Sequence, residues 1–192
     1  YYPLIATKDI KKMGWYREDL VEENLAVNLN QGSGFNYPLA PLICPAESNL
    51  NIVVVTIESW RFDRMNAQVT PNIFAVAQNS LNFNNHLSTG TVTDKGLFGL
   101  FYGTSPAYLP SALGAGREPA LVQATNAMNY QTWVIANQDI EINKLDKLFF
   151  PNNKPIQSTG IRDIPQGDID VAHQFIRQLN ERDSNKPFFS YL

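Results

Sequence analysis

Cysteine is nearly absent from this 192-residue chain: the single Cys44 allows no internal disulfide and no cysteine-rich zinc site, and it says little about redox compartment. Long apolar runs are missing too, since none approaches the ~18 residues a membrane-spanning helix needs. Neither a signal peptide nor a targeting motif is visible in these residues, and there is no internal repeat or low-complexity tract. An excess of positive charge is also lacking. The 15 Lys and Arg are outnumbered by 18 Asp and Glu, giving a net charge of -3, and the cations are scattered. Without a basic stripe, nucleic acid is not an expected partner.

What is present is ordinary globular material, 44% hydrophobic and 17% charged, which argues against disorder. The length suffices for one domain with a sizeable core, or one domain with an appendage. Two domains of unequal weight are expected: residues 1–48 as an N-terminal extension or linker, and 49–192 as an α/β unit. The extension holds a mixed-charge segment, Arg17 to Asn24, followed by a turn-rich run through Gly32, Gly34 and prolines 38, 41 and 45. The abrupt Tyr1-Tyr-Pro opening and the closing Phe188-Phe-Ser-Tyr-Leu192, which reads as the middle of a strand, suggest a soluble piece of a longer protein.

The organising stretch is Asn51-Ile-Val-Val-Val-Thr-Ile-Glu-Ser-Trp-Arg61. Its β-branched run without polar alternation predicts a strand covered on both faces, as in a parallel sheet. Glu58 then stands at the carboxyl end of that strand, where open α/β sheets place ligands. Alternatively, Glu58 simply begins a solvated loop.

Downstream, Thr70 and Pro71 signal a helix start, with Ile73, Phe74, Val76 and Ala77 as its apolar face. Leu81 to His86 predicts a short strand running into the hydroxyl-rich loop Ser88 to Asp94. Gly96-Leu-Phe-Gly-Leu-Phe-Tyr-Gly103 predicts a buried helix, its glycines marking close backbone packing. A helix over Pro119–Asn129, a strand over Tyr130–Ala136, a short helix near 142–148, a helix over Asp168–Arg182 capped by its own aspartate, and a closing strand at Phe188 complete the pattern. Residues 138–167 are otherwise hard to read. This β/α alternation predicts a mainly parallel, layered α/β structure with helices on both faces of the sheet.

Thr93 draws attention because it lies just before a predicted helix N-terminus, where free N–H groups and the helix dipole favour an anionic ester. A threonine hydroxyl becomes a usable nucleophile only when a base or metal activates it. Thr93 or Asp94 could equally be a plain N-cap. His86 could bind an anion or be a hydrogen-bonded structural histidine, and His173 reads as a surface helix residue. Asp63 and Arg64 could reach the pocket mouth or sit in a solvated loop. Gly114-Ala-Gly-Arg117 is not a phosphate loop, since no Lys-Ser/Thr follows it.

Taken together, Asn51 to Arg61, Thr70-Pro-Asn72, His86 with the loop to Thr93, and Gly96 to Gly103 resemble the sulfatase branch of the alkaline phosphatase superfamily, most nearly its YejM/PbgA inner-membrane group. Lipoteichoic acid synthases and phosphoethanolamine transferases are more distant relatives. The resemblance implies an alkaline phosphatase-like three-layer α/β/α fold, truncated here. It places Glu58 at the family's metal-binding acid and Thr93 at the threonine nucleophile of the synthases and transferases, so that Thr93 is both catalytic and a metal ligand. His86 and Asp94 become candidate substrate contacts.

The implied cofactor is a divalent metal (Mn2+, Mg2+ or Zn2+), held in the intact parent and not by this chain alone, because the family's Asp-His pair and further histidines fall beyond Leu192. The implied partners are an anionic lipid or a phosphate or sulfate ester, and the membrane through a preceding domain, on the periplasmic side of the inner membrane. No Cys/Ser-X-Pro-X-Arg formylglycine motif lies between Ser88 and Gly103, which departs from true sulfatases, and Val92 stands where the synthases have lysine. The resemblance also implies a rival role, a non-catalytic sensor of envelope lipid or lipopolysaccharide.

Overall fold

Four parallel strands make one sheet in the order β1-β4-β2-β3: β1 is Ile52–Val54, β2 Gln131–Ala136, β3 Ile156–Ser158 and β4 Phe188–Tyr191. The computed structural model describes residues 35–44, 50–137, 140, 144–152, 156–158 and 164–192. Among these residues six helices accompany the sheet: α1 Pro71–Gln78, α2 Thr93–Tyr102, α3 Leu109–Ala115, α4 Ala120–Ala127, α5 Leu145–Phe149 and α6 Ile164–Glu181. Single 3-10 turns occupy Phe62–Arg64 and Pro106–Tyr108.

Two apolar clusters sandwich the sheet, as the alternation of side chains along a strand requires. On one face Val134 and Phe189 meet Phe98, Phe101, Tyr102, Val122, Leu148 and Phe149 from α2, α4 and α5, with Ile52, Val54 and Tyr191 packed alongside. On the other, Trp133, Ile135 and Phe188 meet Val171, Phe175 and Leu179 of α6. The result is the expected α/β/α layering. Phe98 and Phe189 are fully buried, and burial of each such ring contributes about 2–3 kcal/mol.

Tyr102 ties the first face together. Its ring stacks on Phe98 at 4.2 Å, and its hydroxyl lies 2.6 Å from the carbonyl of Arg117 and 2.7 Å from that of Leu148. The Tyr37 hydroxyl donates to the Tyr102 carbonyl at 2.7 Å and accepts from the Ala120 amide at 2.9 Å, so Phe35 and Tyr37 lie along α2. The rest of the extension, 1–34 and 45–49, lies outside the described residues.

The structure departs from the sequence expectations in five places. Strand β1 is an edge strand and only one of its faces is packed: Val53, Val55 and Ile57 are exposed because α6 covers β2 and does not reach β1. Leu81 to His86 forms no strand: it pairs with none of the four strands, and Leu81 and Phe83 lie open. Helix α1 starts at Pro71 as expected but buries none of its residues, and the Thr70 hydroxyl turns back to the 64–66 loop rather than capping the helix. Helix α6 begins by Ile164, which puts Asp168 inside the helix, where its carboxylate accepts from Asn137 Nδ2 at 3.2 Å. It packs Val171, Phe175 and Leu179 against the sheet, while Ile169 and Ile176 are exposed. Strand β3 falls in the stretch that the sequence left unread.

Candidate active site at the carboxyl end of the first strand

The extended backbone continues past β1. Leu192 N–H donates to the Val54 carbonyl and Thr56 N–H donates to the Leu192 carbonyl, both at 2.9 Å, so β4 holds the chain straight as far as Thr56. A turn follows at Glu58-Ser59, with Ser59 in the left-handed region at φ 57. That bend leaves the Glu58 carboxylate at the sheet's carboxyl end. Thr56 and Glu58 follow Ile52 and Val54 at two-residue intervals, which directs Thr56 to the face covered by α2.

Helix α2 approaches from that face. Val92 is extended at the cap position and Thr93 is the first helical residue. The loop leading in is fixed by its own hydroxyls: Ser88 Oγ donates to the Gly90 carbonyl at 2.6 Å and Thr89 Oγ1 to the Lys95 carbonyl at 2.8 Å. Glycine at 99 makes room for this loop, because a Cβ there would collide with the Thr89 side chain. The helix ends at Gly103, whose φ of 65 suits glycine as a C-terminal cap.

The two candidates for chemistry meet. Thr93 Oγ1 donates a hydrogen bond to Glu58 Oε1 at 2.6 Å, short enough for a charge-assisted bond. Neither Thr93 nor Asp94 is an N-cap, since no side-chain cap bond forms at α2. Asp94 Oδ1 instead accepts from the Lys95 amide of its own turn at 2.8 Å, which spends the carboxylate locally. His86 is exposed in the irregular segment Asn82–His86, and no hydrogen bond joins it to Glu58 or Thr93. Asp63 is tied to Arg61 by two bonds of 3.0 and 2.8 Å, whose donation lowers the Asp63 carboxyl pKa from its ordinary value. His173 is exposed on α6.

The sequence reading missed Thr56 and Tyr191. Thr56 Oγ1 lies 2.9 Å from the Tyr191 hydroxyl and 3.1 Å from the Leu192 carbonyl. Burial raises the Tyr191 phenol above its usual pKa, the Thr56 bond opposes the rise, and the negative charge of Glu58 adds to it. A two-residue step back from Glu58 could have flagged Thr56. Tyr191 needed the β1–β4 register, which opposes it to Val54 and which no local pattern encodes.

The sulfatase family model matches residues 50–192, beginning just before β1 and taking in both Glu58 and Thr93. The chain belongs to the sulfatase family. Among the relatives of this chain is the inner membrane protein YejM of Salmonella typhimurium, 31% identical over 136 residues, which are 68% of this chain and 22% of YejM. The Salmonella typhi YejM matches equally. A Haemophilus influenzae protein is 26% identical over 197 residues, covering all of this chain and 32% of its own length. The chain thus spans between a fifth and a third of the curated relatives it matches. Among the described residues, no helix is long and apolar enough to cross a membrane.

Sulfatases generally use a divalent metal, and the Glu58–Thr93 pair fits one in kind: a carboxylate and a hydroxyl are hard oxygen donors suited to Mg2+ or Mn2+ and acceptable to Zn2+. In number it falls short. No group of three or more His, Cys, Asp or Glu side chains gathers among the described residues, and two donors alone do not complete a coordination shell.

Proposed function

We propose that this chain carries part of the active site of a membrane-anchored, metal-dependent hydrolase or phosphotransferase, in which Thr93 attacks a phosphate or sulfate ester. The 2.6 Å bond from Thr93 Oγ1 to Glu58 Oε1 supports this reading most directly. A carboxylate at the tip of one element and a hydroxyl at the first turn of another have no packing reason to meet in an exposed position. A nucleophile and its activating group must.

In this scheme the Thr93 hydroxyl is held with its proton towards Glu58 and its remaining lone pairs towards incoming ester. The Thr93 Oγ–phosphorus bond forms as the bond to the leaving oxygen breaks. Water, or an acceptor alcohol in a transferase, then takes the phosphoryl group and restores the hydroxyl. The N–H groups of the first turn of α2 face the developing negative charge. A bound divalent cation would supply Lewis-acid polarisation and lower the hydroxyl pKa. The absence of a formylglycine motif favours phosphate over sulfate.

The substrate class we favour is an anionic, membrane-associated phosphate ester on the periplasmic side of the inner membrane, in keeping with relatives named as inner membrane proteins. The rival, a non-catalytic sensor of envelope lipid, draws on the incomplete ligand set described above. The deciding experiment is hydrolysis of p-nitrophenyl phosphate by the full-length protein, with and without added Mg2+, Mn2+ or Zn2+. Metal-dependent turnover that falls at least about a hundredfold in both Thr93→Ala and Glu58→Ala fits the enzyme. No metal-dependent turnover in the wild type fits the sensor.

A further inference from the structure

Tyr191 touches both elements that carry the candidate site. Its ring lies edge-on to Phe101 of α2, with centroids 5.4 Å apart, and tilted against Phe150 at 6.1 Å. Phe101 is buried and sits about two turns along α2 from Thr93. At the far end of the same side chain, the hydroxyl is 2.9 Å from Thr56 Oγ1, two residues before Glu58.

Thr56 ties the end of the first strand to β4. Its N–H and its hydroxyl both reach the Leu192 carbonyl, at 2.9 and 3.1 Å. A hydroxyl carries one proton, so with that proton spent on the carbonyl the bond to Tyr191 is made by the phenol donating to Thr56 Oγ1. The ring contacts with Phe101 and Phe150 would serve a phenylalanine equally well, as Phe188 and Phe189 of the same strand show in their own clusters. The hydroxyl is what a phenylalanine lacks, and it is aimed at the residue from which the chain leaves for Glu58. Burial chiefly, with the Glu58 charge adding to it against the Thr56 bond, raises the phenol pKa, so the proton needed for this bond is retained.

We propose that Tyr191 is a positioning residue for the Glu58–Thr93 pair. Its ring is seated on the helix that presents Thr93, and its hydroxyl pins the strand end that presents Glu58, so one side chain sets the spacing of the two. Past Thr56 only the exposed Ile57 separates this pin from the carboxylate, and a small shift at the pin is passed on to the 2.6 Å bond. The proposal rests on the reaction scheme given above, in which that bond activates Thr93.

The test uses the full-length protein with Tyr191→Phe, which keeps the ring against Phe101 and Phe150 and removes only the hydroxyl. Its crystal structure should show Glu58 Oε1 and Thr93 Oγ1 moved beyond hydrogen-bond distance. Hydrolysis of p-nitrophenyl phosphate with the activating metal should show kcat lowered about tenfold or more with KM unchanged. Thr56→Val should give the same loss and Thr56→Ser should recover most of it. In a Glu58→Ala background Tyr191→Phe should cost nothing more, since it acts through that carboxylate, whereas a merely structural role would lower the residual turnover again. A Glu58–Thr93 bond retained in Tyr191→Phe, an unchanged kcat, or a further loss in the Glu58→Ala background overturns the proposal and leaves the reaction scheme standing. A wild type without metal-dependent turnover overturns the scheme instead, and the Glu58–Thr93 separation in the Tyr191→Phe crystal then decides by itself whether Tyr191 sets the pair.

Discussion

Glu58 and Thr93 stand 35 positions apart in sequence and are joined by one bond, and the residues that stabilise the core around them act by a different logic. Tyr102 places a polar atom inside an aromatic cluster and satisfies it with the Arg117 and Leu148 carbonyls. Tyr102→Phe keeps the stack on Phe98 and leaves those carbonyls short of a donor, so a loss of about 1–3 kcal/mol is expected, read as a lower urea midpoint with unchanged slope. Burial, first, and then the neighbouring Tyr37 and Glu118 raise the Tyr102 phenol above its usual pKa. A raised folded pKa means its contribution is intact below the ordinary phenol range and is lost as pH rises through the alkaline range. The phenylalanine variant should therefore lose less stability in strong base than the wild type.

Glu118 is a milder case. Burial raises its carboxyl pKa while the hydrogen bond from Asn126, at 3.0 Å, opposes the rise. Because the folded pKa lies above the unfolded one, this group's contribution is complete below the ordinary carboxylate range and declines as pH rises past it. Glu118→Gln keeps an acceptor for Asn126 and removes the charge. It should be slightly more stable than wild type at neutral pH, by well under about 1 kcal/mol given solvent screening, with the advantage vanishing in acid. Thermal melts at both pH values would show it, and a gap that persisted in acid would contradict the burial account.

Helix α2 carries Thr93 at one end and core at the other. Its glycines divide the work: Gly99 admits Thr89, and Gly103 closes the helix at positive φ with nothing near its absent Cβ. Gly99→Ala should displace the 88–92 loop, cost about 1–3 kcal/mol, and reduce hydrolysis by the full-length protein because Thr93 moves off Glu58. Gly103→Ala should cost about 1 kcal/mol through backbone strain alone and leave hydrolysis unchanged. Equal effects on turnover would separate the loop from the site.

Elements with strong local signals were legible in the sequence: α2 from its apolar run and bounding glycine, β2 from Tyr130 to Ala136, and α4 from its spacing. Those whose fate depends on a partner were not. Leu81 to Phe83 alternates like a strand but pairs with none of the four in the sheet. Strand β3 is too short to stand out, and β1 has the composition of a central strand while occupying an edge. Glu58 was legible because the apolar run that contains β1 leads straight to it, whereas Tyr191 became visible only through register.

At the scale of the whole molecule, the well-buried half from α2 to α5 contrasts with the open apolar region around β1 and α1, and Glu58 and Thr93 lie where the two meet. One pocket built from both is the central claim. It is tested most directly by incubating the full-length protein with a phosphate ester and the activating metal, quenching in acid, and searching its peptides for a transferred phosphoryl group. The account predicts phosphate on Thr93 in the wild type and none in Glu58→Ala. A phosphoryl group on another residue, or labelling of Thr93 undiminished in Glu58→Ala, would contradict it.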